Sequence, residues 1–202
     1  MSNTIAETET VRKATAADAG RLAETLAAAF FTDPVLSWCY PDLARRASIL
    51  PASFRVIVDA AMPHGGVDTV ADEVAGAVWI PFEADVDDDA MAAELGRLSA
   101  EYAERSFTLF ELMGAHHPHE PHDYLFVFGT QPEWQSRGLG SALLRSALAS
   151  CDRHGMPAYL EATSERNMQL YRRHGFDVTE VVTLPDGPPL WCMWRRPSSI
   201  TG

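Results

Sequence analysis

The sequence predicts a mixed α/β fold, with a central sheet carrying helices on both faces. Three observations predict it. Short runs of strand character recur at 10–14, 67–71, 74–80, 124–130, 158–162, 176–183 and 190–195. Stretches of helical period separate them, and from 124 onward the order is strand, helix, strand, helix, strand, strand. The length, 202 residues, suits one domain with a proper core. We therefore expect a single domain over 10–197, a flexible N-terminus over 1–9 and a tail over 198–202.

Each element has a local reason. Thr15-Ala16-Ala17-Asp18 has capping-box spacing and opens a helix to Phe30, with Leu22, Leu26 and Ala29 inward. Phe31-Thr32-Asp33-Pro34 breaks it. The aromatic stretch that follows, with Trp38 and Tyr40, fits either core or one wall of a pocket. Residues 42–60 read as a helix kinked or broken at Pro51. Residues 67–80 read as a hairpin closed by Asp72-Glu73 and ended by Pro81. The four aspartates in 85–89 read as a solvated helix start, favoured by the helix dipole. Helices then run to Met113, and 114–122 is a loop with four histidines. Gly155 ends the helix over 141–153, Ser164 or Thr163 caps a helix over 165–173, and Pro185-Asp186-Gly187 turns between the last two strands.

Composition narrows the functional classes. The formal charge is −12, which repels a phosphate backbone and argues against nucleic acid as a partner. It is compatible with a cationic substrate. No run approaches the ~18 apolar residues of a membrane span, and the first residues lack the basic and apolar regions of a signal peptide. Cys39, Cys151 and Cys192 have neither disulfide-framework nor metal spacing, so we expect reduced core residues in a cytoplasmic protein. Prolines 118 and 121 make a converging metal site in the histidine loop improbable, and no metal is expected.

The stretch Gln135-Ser136-Arg137-Gly138-Leu139-Gly140 follows the apolar strand and opens a helix. The first backbone N–H groups of a helix lack internal partners and sit at the positive end of its dipole. Glycines there let an anion approach the backbone, and Arg137 adds a charge. A plain tight turn is the other reading. The run is not Gly-x-x-x-x-Gly-Lys-Ser/Thr, since Lys13 is the only lysine, nor Gly-x-Gly-x-x-Gly, since Leu143 stands at the third glycine. Gly129, inside the strand, marks a bulge, a close approach of another backbone, or simple packing.

This loop resembles the acetyl-CoA loop of the GNAT superfamily of N-acetyltransferases. Leu160-Glu161-Ala162-Thr163, Asn167, Tyr171 and Gly175-Phe176 resemble the second half of the same site. His117-Pro118-His119-Glu120-Pro121, Pro185-Asp186-Gly187-Pro188 and Trp191-Cys192-Met193 resemble the puromycin N-acetyltransferase branch, over roughly 112–197. The resemblance implies a sheet splayed between its fourth and fifth strands and an acetyl-CoA-dependent N-acetyltransferase. It implies a small-molecule primary amine as acceptor, an aminonucleoside antibiotic among the candidates, and hence antibiotic resistance. A protein or peptide amine, or a non-catalytic acetyl-CoA-binding module, are the alternatives; monomer and homodimer stay open. It assigns Phe128, Gly129, Thr130, Gln135, Ser136, Arg137, Gly138, Leu139, Gly140, Ser141 and Asn167 to the cofactor. Ser136 departs from the glycine frequent there and implies a slightly altered phosphate contact. Tyr171 becomes the general acid for the departing thiolate, or else a core tyrosine; Asn167 and Tyr171, four apart, share a helix face. Glu161 on the fifth strand becomes the general base, or else a structural acceptor, with His119 and His122 as runners-up.

Overall fold

The computed structural model describes residues 10–198, so the readings for 1–9 and 199–202 lie outside it. Seven strands form one sheet in the order β1-β2-β3-β4-β5-β7-β6. They are β1 (Val11–Lys13), β2 (Val67–Val70), β3 (Ala75–Ile80), β4 (Asp123–Thr130), β5 (Ala158–Ala162), β6 (Asp177–Thr183) and β7 (Pro189–Arg195). Seven α-helices accompany them: α1 (Ala19–Phe30), α2 (Pro34–Cys39), α3 (Leu43–Ala61), α4 (Asp88–Ser99), α5 (Ala103–His116), α6 (Leu139–His154) and α7 (Glu165–Arg173). One face of the sheet packs on α1, α3 and α5 through residues such as Leu26, Val58 and Tyr159. The other packs on α6 and α7 through Leu143, Leu144, Leu160 and Tyr171. This is the mixed sheet with helices on both faces that the sequence predicts.

Every neighbouring strand pair is antiparallel except β4 and β5. Those two pair only at Asp123↔Ala158 and Tyr124↔Tyr159, although β4 runs on to Thr130. The cause lies partly in β4. Opposite β3 its register passes from Leu125 (facing Trp79) to Val127 (facing Val78), leaving Phe126 as an extra residue. A bulge bends its strand and raises the local twist. Beyond Phe126 the edge of β4 that turns away from β3 has no strand partner, and a cleft opens between the two strands.

Gly129 is not the bulge. It pairs in register with Gly76, and a Cβ there would stand 2.8 Å from the Ala29 Cβ. It is a close-approach glycine that lets α1 settle on the sheet beside the cleft.

Three elements differ from expectation. Residues 34–39 form the short helix α2, because Asp33 caps it with its carboxylate, accepting from the N–H groups of Val35 and Leu36, and Pro34 stands in the first turn. Helix α3 passes through Pro51 without a break. The bond to the Ala47 carbonyl is lost there, but Ile49, Leu50, Phe54 and Ile57 anchor both halves in the core. Helix α5 extends to His116, shortening the histidine loop.

Arg46 on α3 is buried and fixes the segment between α1 and α3. Its guanidinium donates to the carbonyls of Tyr40 (2.7 Å), Phe31 (2.8 Å) and Pro41 (3.4 Å). The three cysteines are buried and unpaired. No helix among the described residues is long and apolar enough to cross a membrane.

Candidate active site

The cleft has a volume of about 510 Å³ and is lined from four directions. The free end of β4 contributes Phe128, Gly129 and Thr130, and the turn into α6 contributes Gln135, Ser136, Gly138, Leu139, Gly140 and Ser141. Helix α7 contributes Arg166, Asn167, Leu170 and Arg173. The end of α1 and the start of α2 contribute Phe30, Thr32, Asp33 and Pro34. Of the cofactor residues expected from sequence, all but Arg137 are brought together here.

The turn into α6 is built as an anion cradle. Gly138 is the N-cap with φ 87°, a left-handed conformation that favours glycine, and no side chain caps the helix. The position a Cβ would take at Gly138 has no neighbour within 4 Å. The N–H groups of Leu139, Gly140 and Ser141 have no acceptor among the described residues. Gln135 Nε2 donates to the Thr130 carbonyl (3.2 Å) and closes the turn. Ser136 takes φ 61°. Arg137 points elsewhere: its guanidinium donates to the Glu133 carbonyl (2.9 Å) and stacks over the Trp134 ring at 4.6 Å.

Neither of the two expected catalytic residues lines the cleft: both are buried behind its lining, Tyr171 against Phe128 and Glu161 where β4 and β5 part. Tyr171 is buried on the α7 side, with ring centroids 6.0 Å from both Phe128 and Phe176. Its hydroxyl makes no hydrogen bond within the protein. Burial, and secondarily the charge of Asp33, push the phenol well above its ordinary value, so it keeps its proton at neutral pH.

Glu161 lies at the fork where β4 and β5 part, two residues beyond the last paired position of β5. Tyr124, at the same fork, donates its hydroxyl to Glu161 Oε2 (2.7 Å). Oε1 is buried without a hydrogen bond of ordinary geometry, and the Tyr159 hydroxyl, likewise buried and without a partner, lies close enough to join Tyr124 in favouring the ionised form. Burial pushes the carboxyl up to about 7, against the opposing effect of the Tyr124 hydrogen bond. A carboxylate poised near neutrality suits proton transfer.

Sequence reasoning missed Arg166 and Arg173 on α7 and, at the other wall, Asp33, which it took only for a helix breaker. Asp33 is buried at the cleft wall and caps α2 with Oδ1, while Thr163, at the end of β5, donates to Oδ2. Burial raises its pKa, opposed by the Thr163 and backbone hydrogen bonds. Its local signal, Asp-Pro before an apolar run, is a capping signal, and nothing in it announces a cleft.

None of the loop histidines lines the cleft, but His117 packs on Tyr124 and Tyr159, the two tyrosines beside Glu161. His122 is buried; its Nδ1 donates to the Glu120 carbonyl (2.7 Å) and its Nε2 meets His117 Nε2 at 3.1 Å. Its ring packs on Tyr159 and Trp194. Burial, reinforced by His122, lowers His117 to about 4, so it is neutral at pH 7. His119 is exposed, and His116 pairs with Glu180 at 2.9 Å.

A sheet splayed between its fourth and fifth strands, with an uncapped helix start at the fork, is the arrangement that the sequence resemblance implies. The chain belongs to the acetyltransferase (GNAT) family, which it matches over residues 68–176. Among curated relatives it is similar to the mycothiol acetyltransferase of Acidimicrobium ferrooxidans, 37% identical over 78 residues. That match spans 37% of this chain and only 23% of the relative. An uncharacterised N-acetyltransferase of Schizosaccharomyces pombe is 26% identical over 93% of this chain and 83% of its own length. Among solved structures, a histone acetyltransferase HPA2 and related acetyltransferase from Corynebacterium glutamicum superimposes with TM-score 0.70 at 29% identity, covering 96% of this chain and 98% of that one. Arylalkylamine N-acetyltransferase 2 from Aedes aegypti shares the fold, with TM-score 0.66 at 10% identity over 94% and 99% of the two chains. The protein is thus an N-acetyltransferase of a family whose acyl donor is acetyl-CoA. The open N–H groups at Gly138–Ser141 and the free edge of β4 fit that donor's diphosphate and pantetheine arm.

Proposed function

We propose that the protein transfers the acetyl group of acetyl-CoA to the primary amine of a small molecule. The observation that carries the acceptor class is a clasp over the fork. The Trp38 indole N–H donates to the Pro185 carbonyl at 3.1 Å, joining α2 to the β6–β7 turn across 147 residues. Arg105 lies over the Trp38 ring at 5.3 Å and donates to the Trp38 carbonyl (2.5 Å). An extended peptide needs an open groove between these same elements, and the clasp spans it.

The chemistry follows from the protein's own groups. The start of α6 holds the donor's phosphates with backbone N–H groups, and the free edge of β4 aligns the pantetheine arm. Glu161, buried behind the lining, takes the proton from the amine through water, and Tyr171 gives its phenolic proton to the departing sulfur. Asp33 offers a second carboxylate at the wall, which favours a cationic acceptor. Aminonucleosides such as puromycin fit this description, as do simple cationic amines; a solved neighbour of the same fold is an agmatine N-acetyltransferase. Antibiotic resistance would follow from the first of these.

The test is release of free thiol from acetyl-CoA across a panel of aminonucleosides, aryl- and guanidino-alkylamines and a lysine-bearing peptide. Turnover with a small amine and none with the peptide is expected. Turnover with the peptide alone would overturn the acceptor assignment.

A further inference from the structure

Two arginines in the cleft have no assigned work. Of the 16 lysines and arginines in the chain, seven pair with carboxylates among the described residues. Arg46, Arg105 and Arg137 instead donate only to backbone carbonyls. Arg166 and Arg173 do neither, yet both line the cleft from α7. They stand seven residues apart, two turns on one helix face, about 10 Å along the axis. Asn167 and Leu170 share that face in the cleft, whereas Arg172 does not. His174 Nε2 meets Ser141 Oγ at 3.2 Å and holds this end of α7 against the first turn of α6.

In a chain of net charge −12, two unpaired guanidinium groups in one cleft mark a polyanion site. The opposite wall already supplies the backbone donors for a diphosphate, and its own arginine is turned away to Glu133 and Trp134. Acetyl-CoA carries one more phosphate, the monoester on its ribose 3′ oxygen, with a charge of about −1.5 to −2 at neutral pH. Arginine binds such a group through paired, charge-assisted hydrogen bonds. The nearest acids in sequence, Glu165 beside Arg166 and Asp177 four residues past Arg173, are exposed and pair with neither arginine.

We infer that Arg166 and Arg173 read the 3′-phosphate of the acyl donor, so that the protein discriminates CoA thioesters from donors lacking that group. The inference rests on the acetyl-CoA reading above. It goes beyond it in assigning the 3′-phosphate to α7, while the diphosphate stays with the glycine turn.

Calorimetry with CoA and 3′-dephospho-CoA tests it without any need for turnover. The wild type should bind CoA about 10- to 100-fold more tightly, the range for one or two hydrogen bonds to a charged group. The double variant Arg166→Gln, Arg173→Gln should lose that factor for CoA and keep its affinity for 3′-dephospho-CoA. Arg172→Gln, which removes one charge from the same helix outside the cleft, should keep the full preference. Equal wild-type affinity for the two ligands would overturn the inference. So would equal loss of both ligands in the double variant, or loss of preference in Arg172→Gln. Wild-type binding of neither ligand would instead overturn the acetyl-CoA reading itself.

Discussion

Replacing Glu161 by Gln separates what the carboxylate does for catalysis from what it costs the fold. The side chain is buried at the fork, its ordinary value of 4.5 is raised to about 7, and its one side-chain hydrogen bond of ordinary geometry is from Tyr124 to Oε2. Because the folded value exceeds the unfolded one, the fold favours the protonated form. This contribution is fully present below about pH 4.5 and is lost as pH rises through about 7. Between pH 5 and pH 8 the wild type should lose about 2 kcal/mol from this group alone. For a chain of this size that is a fall in Tm of about 4–8 °C. Gln keeps the volume and can still accept from Tyr124, but it does not titrate. Its unpaired amide hydrogens cost about 1–3 kcal/mol, independent of pH, so the comparison is one of slopes. The variant's Tm should be flatter over this range by that amount, while kcat/KM falls by about 10²- to 10⁴-fold. In the wild type, kcat/KM should rise with pH through an apparent pKa near 7, as a base that must be ionised requires, and that limb should vanish in the variant. Differential scanning calorimetry and a pH–rate series are the assays. A variant with wild-type turnover and an unchanged Tm slope would refute both the base assignment and the origin of its raised pKa.

Two further substitutions test the neighbours. Tyr171→Phe keeps the packing on Phe128 and Phe176 and removes a hydroxyl that the protein does not hydrogen-bond, so Tm and CoA affinity should hold while kcat and kcat/KM fall together, by up to roughly 10²-fold; wild-type turnover with chemistry rate-limiting would return Tyr171 to the core. Asp33→Asn keeps an oxygen to cap α2 but removes the charge, so the pH limb near 7 should survive while KM for a cationic amine rises severalfold; loss of the limb here would move the base from Glu161 to Asp33.

How much of this was legible in the sequence depends on the range of the contacts involved. Strand β5 and helix α7 appear at the bounds read from sequence, because their signals are local: an apolar run, then Ser164 accepting from the Asn167 N–H. The cradle at Gly138 was legible for the same reason, since a glycine pair between strand and helix carries its backbone geometry with it. Arg137 shows where this logic stops. Sequence places its Cα in the loop, but the direction of its side chain is set by Trp134 and Glu133, which offer a stacking face and a carbonyl on the outer side.

The acceptor side was illegible because almost nothing in it is local. Asp33 enters the cleft through Thr163, 130 residues away, and Trp38 is fixed by Pro185, 147 residues away. Tyr124 and Glu161 meet across 37 residues at a fork created by a one-residue bulge at Phe126. No periodicity or capping rule reports such pairings. The two halves also answer to different requirements. The glycine turn and the helix start it opens are contiguous in sequence and carry a recognisable pattern. The acceptor must be told from other amines, and that discrimination is held in side chains that tertiary packing brings together from α2, the ends of β4 and β5, and the β6–β7 turn. Substitutions that change acceptor choice should therefore cluster in 31–40 and in 183–189, two segments that Trp38 joins through Pro185, far from the glycine turn in sequence.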